Sequence, residues 1–137
     1  MELNTIGLVA AASTFVGVWF GHLAVRKIES ISQTIWLPTT IFAIAGIAFE
    51  WFSLSTFNVQ LSTAFGILGI TFLCDANEFH RQQSRVRKGH APANPDNPRH
   101  ARLMREYPSV TTVDLLKRDP VGQPVTPTEA IQLVTEH

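Results

Sequence analysis

Cysteine is all but absent from this chain. Cys74 stands alone among 137 residues, so there is no internal disulfide and no Cys-x-x-Cys metal or redox pair. At the end of an apolar run it reads as a small apolar residue. Other signatures are lacking too. There is no Gly-x-Gly-x-x-Gly, no phosphate loop, no His-Glu-x-x-His and no nucleophile elbow, which removes the enzyme classes built on them. Glu2 holds the place where myristoylation needs glycine, and there is no C-terminal cysteine box. No basic residue precedes the first apolar run. Arg26 and Lys27 follow it instead, the reverse of a secretory signal.

Charge is the most telling scarcity. From Leu3 to Cys74 the charged residues are only Arg26, Lys27, Glu29 and Glu50. From Asp75 onward there are nine basic and eight acidic residues. The formal net charge of zero hides this division. It predicts a membrane part followed by a water-facing part.

Three apolar runs make up the first part: about 5–25, 34–54 and 59–74. About 20 residues cross the roughly 30 Å of hydrocarbon at ~1.5 Å per residue. The third run is shorter, and tilt or extension into the headgroups supplies its length. A soluble bundle would need a polar face on each helix, and Ile6 to Phe20 offers only Ser13 and Thr14, which are tolerated in lipid. The expected fold is therefore an all-α membrane protein with three transmembrane helices.

Basic loops stay in the cytoplasm. Arg26 and Lys27 are expected in the first loop. Arg81, Arg85, Arg87 and Lys88 follow the third span, and the loop at 55–60 has no charge. This predicts a multi-pass protein with the N-terminus outside and the C-terminus cytoplasmic. Trp19, Trp36 and Trp51 fall near expected span ends, as interfacial anchors do. Pro38 suits a first helical turn.

The third helix is expected to overhang the membrane from Asp75 to Lys88, with Phe79 and Val86 on its buried side and Gly89 just past its end. Residues 1–89 would form the membrane domain and 90–137 a tail. Pro92, Pro95 and Pro98 favour extended chain at 90–99. Short helices are expected near 101–107 and 112–118. Thr126-Pro127-Thr128-Glu129 has the order of a capped helix start, predicting a last helix over 127–135.

Glu78, then Arg85-Val86-Arg87-Lys88-Gly89, then Pro92 and Asn94-Pro95, with His22, Lys27 and Glu29 in the first third, resemble an uncharacterised family of small bacterial membrane proteins, a domain of unknown function. The resemblance covers about residues 5–95. His80, Arg81 and His90 depart from the pattern, and the chain from about Arg99 has no counterpart. It implies a location in a bacterial inner membrane and about three spans. It implies no activity and lends no catalytic residue.

Each candidate for chemistry has a plainer reading beside it. Glu50 is an acid inside a span, which points to proton or ion handling. Lying near Trp51 and the outer surface, it could instead snorkel or accept a hydrogen bond. His22, Asp75, Glu78 and His80 could supply a histidine–carboxylate metal site. An ion-pair network of Arg26, Glu29, Asp75 and Glu78 explains the same charges. His22 is the candidate cofactor ligand, for an axially bound haem or pigment, or an interfacial histidine. Gly17 and Gly21, and Gly66 and Gly69, mark close helix packing with a partner in this chain, a second copy or another protein. Arg26, Lys27, Arg81, Arg85, Arg87 and Lys88 set topology and meet lipid headgroups. The basic run 81–105 lacks the interleaved aromatics of a nucleic-acid binder.

The expected function is a non-catalytic accessory or scaffold subunit of a membrane complex, respiratory or photosynthetic for example. Its partners would be membrane lipids and other membrane subunits, with no nucleic acid. No cofactor is expected beyond a surface lipid or pigment. The alternatives are a small oligomeric channel or proton- or ion-handling protein using Glu50, and a metal- or haem-binding protein using His22.

Overall fold

The computed structural model describes residues 4–114 and 117. Four helices follow in order: α1 (Thr5–Ile31), α2 (Trp36–Ser55), α3 (Val59–Arg87) and α4 (Pro98–Glu106). There is no strand among the described residues. The first three are long and apolar enough to cross a membrane. The expected helices near 112–118 and over 127–135 lie partly and wholly outside the described residues, and 112–114 are not helical.

Local sequence sets the boundaries. Asn4 and Asn58 cap α1 and α3 by accepting from the amides of Gly7 at 2.9 Å and Leu61 at 3.0 Å. The 20 residues of α2 match the hydrocarbon thickness, whereas α1 has 27 residues and α3 has 29. At ~1.5 Å per residue the longer helices project by roughly two to three turns. Both project at the end that carries the arginines, here termed the basic end.

Two expectations are corrected there. Arg26 and Lys27 are helical, not in a loop, because nothing breaks α1 before Ser32, whose amide closes the last turn on the Ile28 carbonyl at 2.8 Å. The proline-rich stretch is not extended throughout. Pro98 opens α4, three residues earlier than expected. Proline suits that position because its missing N–H would have had no partner there, and the Asn97 side chain accepts from the Arg99 amide at 2.9 Å.

α3 is the central helix and packs on both α1 and α2. Small residues permit the close approach. A Cβ on Gly17 would meet the Thr71 hydroxyl at 3.1 Å, and one on Gly21 would collide with the Asp75 carboxylate. Gly46 lies under Leu73 and the Gly69 carbonyl, Gly66 under Ser53, and Gly69 under Glu50. All four glycines singled out in the sequence thus face a neighbour within the chain.

Six phenylalanines line the α2/α3 seam. Going from the basic end, ring contacts link Phe79, Phe42, Phe72, Phe49, Phe65 and Phe52, with centroids 5.1–5.9 Å apart. At the opposite end Ser53 and Ser62 exchange hydrogen bonds, each hydroxyl donating to the other's carbonyl, at 2.8 and 2.9 Å.

Beyond the seam, Phe79 and Val86 of α3 are fully buried. Val86 packs with Ala91, Ala93 and Leu103, which seats α4 on the end of the bundle. Gly89 turns the chain with φ +72°, and a Cβ there would collide with the Ser109 carbonyl. Left-handed backbone and that contact both call for glycine. Ser109 donates to the Arg87 carbonyl at 2.6 Å, and Ala93 donates to the Thr111 carbonyl at 2.8 Å.

Candidate functional site

A helix end leaves its last carbonyls without partners. α1 finishes against the basic-end cap. Residues 94–99 take over. Asn97 Nδ2 donates to the Ser30 and Ser32 carbonyls, both at 2.9 Å. Asn94 Nδ2 donates to Ser30 at 3.1 Å. Arg99 donates from Nε to the Ser32 carbonyl at 3.1 Å and from Nη2 to the Glu29 carbonyl at 2.5 Å.

The Glu29 side chain is 1% exposed, and two donors meet at its Oε1: Arg99 Nη2 at 2.9 Å and His100 Nε2 at 3.1 Å. His100 is fully buried. Its Nδ1 accepts from the Asn94 amide at 2.8 Å. A nitrogen that accepts carries no hydrogen, so the hydrogen sits on Nε2 and points at Glu29. Arg99 Nη2 and His100 Nε2, 2.9 Å apart, are therefore both donors drawn together by one carboxylate. The result is a buried Arg–Glu–His cluster joined to the end of α1.

A second layer lies on α3. Arg85 donates from Nη2 to Glu78 at 2.5 Å and from Nε to Gln82 at 2.8 Å. Arg81 approaches the other Glu78 oxygen at 3.7 Å. Arg26 reaches Asp114 at 3.8 Å. The ion-pair network expected among Arg26, Glu29, Asp75 and Glu78 is therefore re-partnered. Glu29 takes Arg99, because the cap folds back over the end of α1, and Glu78 takes Arg81 and Arg85 from its own helix, three and seven residues on.

His22 is exposed and lines a crevice with Asp75, Glu78 and Arg81. A neighbouring crevice brings His22 near Arg26, Arg85 and His90. His80 lines neither. No group of three His, Cys, Asp or Glu side chains suited to a metal forms among the described residues. Lys27 and Lys88 are exposed, and the Arg87 guanidinium lies 5.5 Å from the Tyr107 ring centroid.

Glu50 sits in the α2/α3 seam with its carboxylate over Gly69, and Oε1 is buried with no hydrogen-bond partner among the described residues. It neither snorkels with that oxygen nor satisfies it.

Asn94, Asn97, Arg99 and His100 are the functional residues that sequence reasoning missed. The signal was the repeated Asn-Pro. Asn97-Pro98 is a helix start, and asparagine is a good capping side chain.

A family model described as a domain of unknown function, DUF4491, matches residues 4–97. No curated protein and no solved structure matches the chain. The match ends at the Asn97 cap, and the described fold continues past it through α4.

Proposed function

We propose that this chain, which belongs to the DUF4491 family, is a non-catalytic accessory or scaffold subunit of a larger membrane complex. A respiratory or photosynthetic assembly in a bacterial inner membrane is the kind of complex meant. The observation that carries the reading is the closure of the basic-end polar network. Glu29, Asn97 and His100 direct their bonds to one another and to the main chain at the end of α1. Acid–base chemistry needs such groups to face a space that a substrate can enter. Engaged inward, they hold geometry.

The outward faces supply the surface such a role needs. Leu8, Phe15, Trp19 and Phe20 on α1, and Ile41, Ile44, Ile47 and Trp51 on α2, point away from the bundle. Lipid acyl chains and the spans of other subunits are the partners that fit them, and no nucleic acid is implied. Positive charge at the basic end orients it to the cytoplasm, leaving the N-terminus outside.

Mild-detergent extraction of the native membrane, followed by sizing and mass spectrometry, tests the proposal. A stoichiometric set of co-migrating subunits supports it. A chain that runs alone or as a homo-oligomer removes it.

One observation favours a second reading, a small oligomeric channel or proton-handling protein. The Glu50 carboxylate lies in the seam with a buried, unpartnered oxygen, and acids at membrane depth are costly to keep. Proton flux in reconstituted vesicles that Glu50→Gln abolishes would establish it. Absence of flux in the unsubstituted protein would end it.

A further inference from the structure

A cavity of about 500 Å³ is enclosed by α4, the end of α3 and the residues just before α2, and His22 is not among the residues that line it. Three arginines from the two cap-forming elements line it: Arg87 at the end of α3, and Arg99 and Arg102 on α4. Gln33, Thr34 and Gln83 add neutral polar side chains, and Glu106 is the one acid. Arg99 is balanced by Glu29 behind the wall. Arg87 and Arg102 have no acidic partner within ion-pair distance among the described residues. Against Glu106 they leave the cavity cationic.

Arg99 also has capacity to spare. Its side chain is 12% exposed, and Nη1 is buried with no hydrogen-bond partner among the described residues. No other side-chain nitrogen among the described residues is both buried and unpartnered. Guanidinium groups bind phosphate oxygens in paired, charge-assisted hydrogen bonds.

The depth of the cavity identifies the source of the phosphate. Gln33 and Thr34 come just ahead of Ile35, which caps α2, and of Trp36, the first residue of α2, which is 65% exposed. α2 is only as long as the hydrocarbon is thick, so its start lies at headgroup level. We propose that this cavity binds the phosphate-bearing headgroup of an anionic glycerophospholipid, with its acyl chains running down the outside of α2 past Trp36. The site is independent of whether the chain joins a larger complex.

The test uses the full-length chain purified in mild detergent, with phosphatidylglycerol, phosphatidylcholine or inorganic phosphate added. Native mass spectrometry counts retained lipid, and thermal melting reads stabilisation. Retention of phosphatidylglycerol above phosphatidylcholine is expected, with about tenfold more lipid needed for Arg102→Gln and a greater loss for Arg87→Gln/Arg102→Gln. The Arg102 side chain makes no hydrogen bond or ion pair among the described residues, so its single variant guards against disturbing the Arg87–Tyr107 contact. Lys27→Gln/Arg81→Gln removes the same charge away from the cavity and is expected to stay within about twofold of the parent. Equal loss in that control would replace the site with diffuse attraction and overturn the proposal. Arg102-dependent stabilisation by inorganic phosphate, without lipid preference, would assign the cavity to a soluble phosphate and overturn it too. So would the absence of phosphatidylglycerol retention by the parent chain.

Discussion

Replacing Glu29 by glutamine removes one charge and almost no volume. The two donors at Oε1, Arg99 Nη2 at 2.9 Å and His100 Nε2 at 3.1 Å, keep an acceptor, but a neutral one. Each bond then loses its charge assistance, about 1–1.5 kcal/mol. The Arg99 guanidinium, 12% exposed, also loses its counter-charge. Breaking a buried pair outright costs about 3–5 kcal/mol. The main-chain acceptors at Glu29 and Ser32 hold Arg99 in place, so the low end applies, about 3 kcal/mol. At ~1.4 kcal/mol per factor of ten this is roughly 150-fold in the cap's opening equilibrium. Hydrogen exchange read by mass spectrometry on the detergent-solubilised chain measures it. Amides of 91–103 and of the last turn of α1 are expected to lose about two orders of magnitude of protection. Amides in the middle of α3 are expected to keep theirs. A change below about threefold in the cap, or equal loss throughout, would refute the claim that the cluster holds the cap as a separate unit.

Other substitutions probe the remaining devices. Gly46→Leu would drive a side chain into Leu73 and the Gly69 carbonyl, and the detergent melting temperature should fall steeply, whereas the exposed Ile47→Leu should leave it unchanged. Gly89→Ala meets both a left-handed backbone and the Ser109 carbonyl; a loss of at least ~1–2 kcal/mol is expected, read as faster proteolysis of the chain after Arg87. Phe42→Ala removes two ring contacts, to Phe72 and Phe79, and leaves a cavity in the seam, and equilibrium unfolding should show a loss of about 3–5 kcal/mol. Glu50→Gln replaces an acid whose buried Oε1 has no hydrogen-bond partner among the described residues, and a higher melting temperature is expected, because an acid at that depth is costly to keep.

The spans were legible because their signal is compositional. A run of about 20 residues without charge has few fates other than a membrane helix. The overhang of α3 was legible as well, since nothing between Asp75 and Lys88 breaks a helix and Gly89 ends it. The end of α1 was harder. Arg26, Lys27 and Glu29 look like a loop to a reading based on hydropathy, yet charge does not stop a helix that leaves the bilayer. The buried cluster was the least legible part. Glu29 is separated from Arg99 by 70 positions, and no local pattern connects an acid after one span to an arginine beyond three prolines. The asparagines were visible as turn formers. That their amides would complete a distant helix depends on how α3 carries the chain back over α1, which is a property of the packed bundle.

The dependence of α1 on Arg99 sets an order of events during synthesis. The carbonyls of Glu29, Ser30 and Ser32 leave the ribosome long before the side chains that bind them. With 70 positions between Glu29 and Arg99 and synthesis at about 5–20 residues per second, that delay is roughly 4–14 s. During it the first span can enter the bilayer with its final turn frayed and its glutamate solvated. Only when α3 has been inserted and the segment after it has emerged does the glutamate become buried. Burial of Glu29 is thus a late step of folding, and a chain stopped before residue 94 would carry three spans and an open end.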